Sequence, residues 1–240
     1  MVLRIARAVG LAVVLSSLVP MTALAALSTG EQKRLNDSAG VVTAIRTADN
    51  GIPDDLWQKA ACVIVIPDMK KAALIIGGEY GKGVMSCRTA NGWSSPVFME
   101  LEKGSWGFQA GAQEIDLVLL VTDKDAAAKM LNNKVSLGAD ASVAAGPVGR
   151  AASASTTGTL ATVLSYSRSK GLFAGVNLSG GALKADKDSN TDAYGNPIPA
   201  EVLNGSGPKL DAATPFLRTL SAGVRATSGT AAPVTTDAPK

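Results

Sequence analysis

The runs Cys62-Val-Ile-Val-Ile-Pro67, Ala72-Ala-Leu-Ile-Ile-Gly-Gly78 and Gly83-Val-Met-Ser-Cys-Arg88 decide the fold class. Each is a short apolar stretch rich in β-branched residues, and polar segments at 68–71 and 79–82 separate them. They read as three antiparallel strands, because connections this short cannot make the crossover that a parallel pair requires. Further strands are expected at 97–101, 104–112 and 115–121, the last so apolar that both of its faces must be covered. Residues 135–148 alternate small apolar side chains (Val135, Leu137, Ala139, Ala141, Val143) with Ser, Gly and Asp, the period of a strand. Segments 159–169 and 172–183 continue this pattern on either side of Ser169-Lys170-Gly171, a hairpin signal.

Helices frame the strands. Ser28 followed by Glu31 is a capping-box signature, and Leu35, Ala39, Val42 and Ile45 fall at helical spacing, so an amphipathic helix is expected over 30–47. A short helix over 53–60 carries Asp54 and Asp55 at its positive end and Trp57 on its apolar side. Asp123 caps a third over 124–131, and a fourth is expected at 212–221. The reading is an α+β domain, mainly antiparallel sheet, with an N-terminal amphipathic helix and a few peripheral helices.

Residues 1–25 read as a secretory leader. Arg4 and Arg7 precede a mostly apolar stretch, and Ala23-Leu24-Ala25 offers a small-residue cleavage site. Gly10, Ser16, Ser17 and Pro20 interrupt the apolar run before it reaches the roughly 20 residues of a membrane span. The division expected is a leader over 1–25, one domain over 26–225 and a disordered tail over 226–240, rich in Ala, Thr, Ser, Gly and Pro. The chain is thus expected in the periplasm or secreted. Losing Arg4 and Arg7 lowers the net charge from +3 to +1, too balanced for the phosphate-neutralising clusters of nucleic-acid binding. In an oxidising compartment Cys62 and Cys87 suggest a disulfide. A three-strand meander would instead leave them two strands apart as buried thiols, and both readings stand.

The chain contains no histidine. That removes Ser-His-Asp and Cys-His nucleophile activation and nearly all zinc hydrolase sites. Glu100, Glu102, Asp116 and Asp140 could supply a glycosidase pair, but solvated strand-face acids are the plainer reading. No catalytic site and no cofactor are expected. Gly77-Gly-Glu-Tyr-Gly-Lys-Gly83 is not a phosphate loop, since the lysine is followed by Gly83 and a strand rather than Ser or Thr and a helix. Asp186, Asp188, Asn190 and Asp192 occupy positions 1, 3, 5 and 7 of a calcium loop. Thr191 and Pro197 stand where the turn glycine and the bidentate glutamate belong, which leaves at most a weak calcium alternative.

Read together, several motifs resemble the SYLF domain family. They are Cys62-Val-Ile-Val-Ile-Pro67, Gly77 to Gly83, Gly92-Trp-Ser-Ser-Pro96, Gly107-Phe-Gln-Ala-Gly-Ala-Gln113, Leu137 through Gly146-Pro-Val-Gly-Arg150, Tyr166 through Gly175, and Asn190 with Tyr194-Gly195. The resemblance covers roughly 35–221. It implies binding to phosphoinositides or other anionic lipids, with an N-terminal amphipathic segment and surface basic residues taking part. The family's actin-regulating members are cytosolic and carry SH3 or FYVE domains, whereas this chain has a leader and neither domain, so actin is not an expected partner. Phosphatidylglycerol, cardiolipin or another envelope anion fits an exported member better. The candidate head-group ligands are Lys70, Lys71, Lys82 and Lys170, with Arg150 and Arg168 inside the matching motifs. Internal pairing of the arginines with Asp116 or Asp140 is the competing reading. The competing function is a structural or protein-partner-binding envelope protein without lipid affinity.

Overall fold

The computed structural model describes residues 27–49, 51–73, 76–106, 111–148, 161–169, 171–195 and 199–222. The expected leader and tail, Arg150 and Lys170 fall outside them. Helix α1 (Thr29–Thr47) starts where the capping box places it: the Glu31 carboxylate accepts from the Ser28 amide at 2.7 Å, and the Ser28 hydroxyl accepts from the Glu31 amide at 3.3 Å. Two orphan amides of the first turn are thereby satisfied. Helix α2 (Asp54–Lys59) follows and buries Leu56 and Trp57.

The sheet then begins, and here the three-strand reading is corrected. Two long strands, β1 (Cys62–Ala73) and β2 (Ile76–Thr89), form one antiparallel hairpin. The polar residues at 68–71 mark a bulge, not a turn. The register slips between Val65 and Lys70 against β2, and between Ile66 and Met69 against the strand on the other side. Asp68 takes φ 50° there, and its amide donates to the Asp116 carboxylate at 3.1 Å. Pro67 has no amide to donate, so the ladder breaks locally and then resumes. Because the hairpin is continuous, Cys62 and Cys87 face each other in register and are joined as a disulfide. The buried-thiol alternative fails for that reason.

Strand β3 (Gly92–Trp93) pairs with the end of β2. Strands β4 (Val97–Trp106) and β5 (Gly111–Val121) follow, so the separate strand expected at 104–112 is in its described part the ends of these two. Helix α3 (Lys124–Asn132) is capped by Asp123, whose side chain accepts from the Asp125 amide at 2.9 Å. The alternating run at 135–148 does not form one strand. It yields β6 (Val135–Ser136) and β7 (Val143–Ala145) around a turn in which the Asp140 carboxylate accepts from the Ser136 amide at 2.8 Å. Strands β8 (Val163–Ser169) and β9 (Leu172–Gly175) make the expected hairpin, and β10 (Gly181–Ala185) is separate from β9. Two helices absent from the expected set, α4 (Lys187–Tyr194) and α5 (Pro199–Asn204), precede α6 (Thr214–Ser221).

Strand order is β6-β10-β4-β2-β1-β5-β8-β7, with β3 beside β2 and β9 beside β8. All pairs are antiparallel except β7 with β8. The segment from β6 to β7 crosses from one edge of the sheet to the other, and the sheet curls accordingly. Alternation sends Cys62, Ile64 and Ile66 to one face, with α3 and α5. It sends Val63 and Val65 to the other, under α1, α2 and α6. Burying each such aliphatic side chain contributes about 1.5–3 kcal/mol, which explains why β1 and β5 are apolar on both faces.

Gly146 and Gly83 are among the glycines that close approach requires. A Cβ at Gly146 would sit 2.1 Å from the Tyr166 ring, which occupies that space. A Cβ at Gly83 would lie 2.1 Å from the Val65 carbonyl oxygen and 2.7 Å from Ile66 Cγ1. Gly83→Ala is therefore expected to cost about 1–3 kcal/mol through overpacking, read as a lower urea midpoint. An unchanged midpoint would show that β1 and β2 lie farther apart at the bulge than described.

Candidate functional site

The basic residues singled out from sequence are not gathered into one pocket. Lys70 stands exposed on β1, opposite Tyr80 on one side and Glu114 on the other. Lys71 follows it on the strand, opposite Glu79 and Gln113. Lys82 turns inward from β2 and its ammonium lies 2.8 Å from the buried Asp186 carboxylate. The hydrogen bond and charge of that carboxylate raise the Lys82 pKa against the lowering effect of partial burial. Arg168 lies on β8 opposite Asp116 and donates to it through Nε at 2.7 Å, with Nη2 at 2.5 Å, while its guanidinium rests 5.8 Å from the Phe173 ring centroid.

Around these runs a charged network that sequence reasoning did not find. Asp186, 3% exposed, caps α4 and also pairs with Arg34 of α1 at 3.3 Å. One carboxylate thus ties α1, β2 and α4 together. Burial pushes its pKa up, but hydrogen bonds from Lys82 and Ser189 and the Lys82 charge overcome this and hold it below the usual carboxylate range. Beside it Lys184 bridges Glu100 at 2.8 Å and Glu102 at 3.3 Å, and Lys134 reaches Glu102 at 3.0 Å. These contacts depend on which strands are neighbours, so no local signal could have revealed them.

The carboxylates that sequence offered for acid–base work are thereby occupied: Glu100, Glu102 and Asp116 by cations, Asp140 by a backbone amide. The calcium spacing is divided by α4. Asp186 and Asn190 face inward while Asp188 and Asp192 are exposed, because alternate residues of a helix point in different directions. The Asn190 side chain accepts from the Phe98 amide at 2.9 Å and donates to the Phe98 carbonyl at 2.8 Å, pinning α4 to β4. Among the described residues no group of three metal-ligating side chains converges, and no helix is long and apolar enough to cross a membrane.

Fold and network define an α+β domain in which Asp186, Asp116, Glu100 and Glu102 hold cations from neighbouring elements. Residues 102–223 match the family described as Ysc84, Las17-binding protein actin regulator. The chain is 34% identical over 179 residues to LAS seventeen-binding protein 3 of Saccharomyces cerevisiae, a match covering 72% of this chain and 39% of that one. It is 30% identical over 172 residues to SH3 domain-containing YSC84-like protein 1 of Homo sapiens, covering 70% of this chain and 50% of the relative. The chain therefore belongs to the Ysc84 family, the SYLF domains its motifs resemble. It spans about two fifths to half the length of these relatives.

Proposed function

We propose that this protein is an exported, non-enzymatic module of the cell envelope that binds anionic phospholipid head groups reversibly. The observation that carries the reading is the exposed Lys70, followed by Lys71, at the end of the central hairpin where no carboxylate neutralises it by direct contact among the described residues. Lys170 lies in the β8–β9 connection by sequence. Lys82 and Arg168 are the weaker candidates, since each already holds an internal carboxylate. The apolar face of α1 cannot assist, because Leu35, Val42 and Ile45 are buried on the sheet.

At about 1 kcal/mol per basic residue near an anionic surface, three lysines alone correspond to an affinity weaker than millimolar. Some apolar contribution is needed for useful binding. Flotation with phosphatidylglycerol vesicles tests the reading. Wild type is expected to float at low salt and much less at high salt. Lys70→Glu, Lys71→Glu and Lys170→Glu together should weaken binding about a hundredfold or more. Lys82 is left intact so that folding is preserved. Failure of the wild type to float at low salt sinks the proposal. The family's description as a Las17-binding protein and the yeast relative's name, LAS seventeen-binding protein 3, support a second reading, a domain that docks a protein partner.

A further inference from the structure

We propose that Asn91, in the turn between β2 and β3, is a site of spontaneous deamidation that the fold leaves open while it protects the chain's other Asn-Gly pairs. The inference is independent of the membrane reading. Asparagine is followed by glycine three times, at 50–51, 91–92 and 204–205. In each pair the glycine amide nitrogen can attack the asparagine side-chain carbonyl carbon, since glycine has no Cβ to obstruct the approach. The order of residues alone does not rank the three.

Tertiary structure ranks them. At the end of α5 the Asn204 side-chain oxygen accepts from the Ser206 amide at 2.9 Å and from the Ser206 hydroxyl at 2.6 Å, and the Gly205 amide donates to the Val202 carbonyl at 3.2 Å. Electrophile and nucleophile are both held. Gly51 is buried, and its amide donates to the Ala48 carbonyl at 3.1 Å. A Cβ at Gly51 would lie 2.0 Å from the Ile45 carbonyl oxygen, so its backbone is packed in place. Ala90, Asn91 and Gly92 are by contrast all exposed, at the tip of a turn closed by the Thr89–Gly92 pair. The Asn91 amide donates to the Thr89 hydroxyl at 3.3 Å, and that hydroxyl donates to the Gly92 carbonyl at 3.2 Å. The Asn91 side chain itself has no hydrogen-bond partner among the described residues. Gly92 stands at φ 113°, and nothing lies within 4 Å of where its Cβ would be.

In the reaction hydroxide removes the Gly92 amide proton and the nitrogen attacks Asn91 Cγ. A C–N bond forms, the Cγ–Nδ2 bond breaks, and ammonia leaves after taking a proton from water. The product is a five-membered succinimide. Water then opens it: cleavage at Cγ gives aspartate, and cleavage at the backbone carbonyl gives isoaspartate, linked to Gly92 through Cγ. No electrons are exchanged with any other reactant. Either product adds a negative charge, and isoaspartate also adds one atom to the main chain of the turn. Just beyond the turn the buried Ser94 clasps β2. Its amide donates to the Cys87 carbonyl at 2.9 Å, its hydroxyl accepts from the Cys87 amide at 3.1 Å, and its carbonyl accepts from the Ser86 hydroxyl at 2.7 Å. That clasp confines the lengthening to the turn, so the domain stays folded as Asn91 converts.

Ageing the full chain in mildly alkaline buffer, with the disulfide oxidised, tests this by peptide mass. Tryptic peptides 47–59, 89–103 and 188–209 carry the three pairs separately. Peptide 89–103 is expected to gain the mass difference between amide and acid and to split into two chromatographic species, at a rate proportional to hydroxide. It should convert at least about tenfold faster than the other two, whose reacting groups must first break hydrogen bonds. In urea the three should convert at comparable rates. Asn91→Gln, whose longer side chain would have to close a six-membered ring, is expected to stop the change in 89–103 and to leave thermal unfolding as in the wild type. A peptide 89–103 that keeps its mass, or that converts no faster than the others in the folded chain, overturns the proposal. So does a mass change that persists in Asn91→Gln. Unfolding of the chain in step with the conversion would overturn the part assigned to Ser94.

Discussion

Asp186→Ala is expected to destabilise the fold by about 3–5 kcal/mol, the range for removing one partner of a buried ion pair. The substitution leaves the Arg34 guanidinium, with its side chain only 12% exposed, facing α4 without its carboxylate. It also removes the cap on the Ser189 amide. Lys82, whose side chain is 37% exposed, can turn back to water, which places the loss toward the lower end of the range. The pH dependence has a definite sign. Asp186 titrates lower in the folded chain than in the unfolded one, so its contribution is present above the unfolded value, near 4, and is lost as pH falls through the folded value. Lys82 titrates higher when folded, so its contribution is complete below its unfolded value, near 10.4, and is lost as pH rises through the folded one. The difference between wild type and variant should be flat through neutral pH and shrink at both extremes. Urea melts at several pH values measure it, and equal midpoints at pH 7 would show that Asp186 holds nothing.

Replacing Cys62 and Cys87 together by alanine is expected to cost about 3–4 kcal/mol. The bridge closes a loop with a sequence separation of 25 residues, and the chain-entropy relation for a loop of that length predicts this loss. Both positions are buried on the face that carries Ile64 and Val121, so lost packing adds to it. Reduction of the wild type should lower the urea midpoint in the same direction. A wild type whose midpoint is indifferent to reductant would mean that the thiols are not bridged in solution.

These two residue sets mark where local reading stopped. The disulfide depended on whether 68–71 reverses the chain. Pro67-Asp68 carries the composition of a turn, and only the ladder continuing on both sides, to Tyr80 and to Glu114, makes it a bulge. Helix α4 was legible in principle from Asp186 and Ser189, an N-cap and the residue whose amide it receives, yet the alternating Asp and Asn pattern resembled a cation loop more closely. At 135–148 the alternation was real, but a strand needs a partner along its length. Only Val135–Ser136 and Val143–Ala145 find one, on opposite edges of the sheet.

Features that depend on near neighbours were legible in the chain's order of residues. The Ser28–Glu31 capping box placed the start of α1, the Asp123 cap that of α3, and apolar spacing with flanking residues α2 and α6; short β-branched runs with short connections indicated an antiparallel α+β fold, and glycine at 171 marked the β8–β9 hairpin. The motifs in their order indicated the family. Tertiary structure alone decided which strands lie side by side, and with them the Cys62–Cys87 bridge, the partners of Lys82 and Arg168, and the burial of the α1 face. Helix and turn preferences act over a few residues, whereas strand register and ion pairing are set by contacts between distant segments, as between Arg34 and Asp186, 152 residues apart.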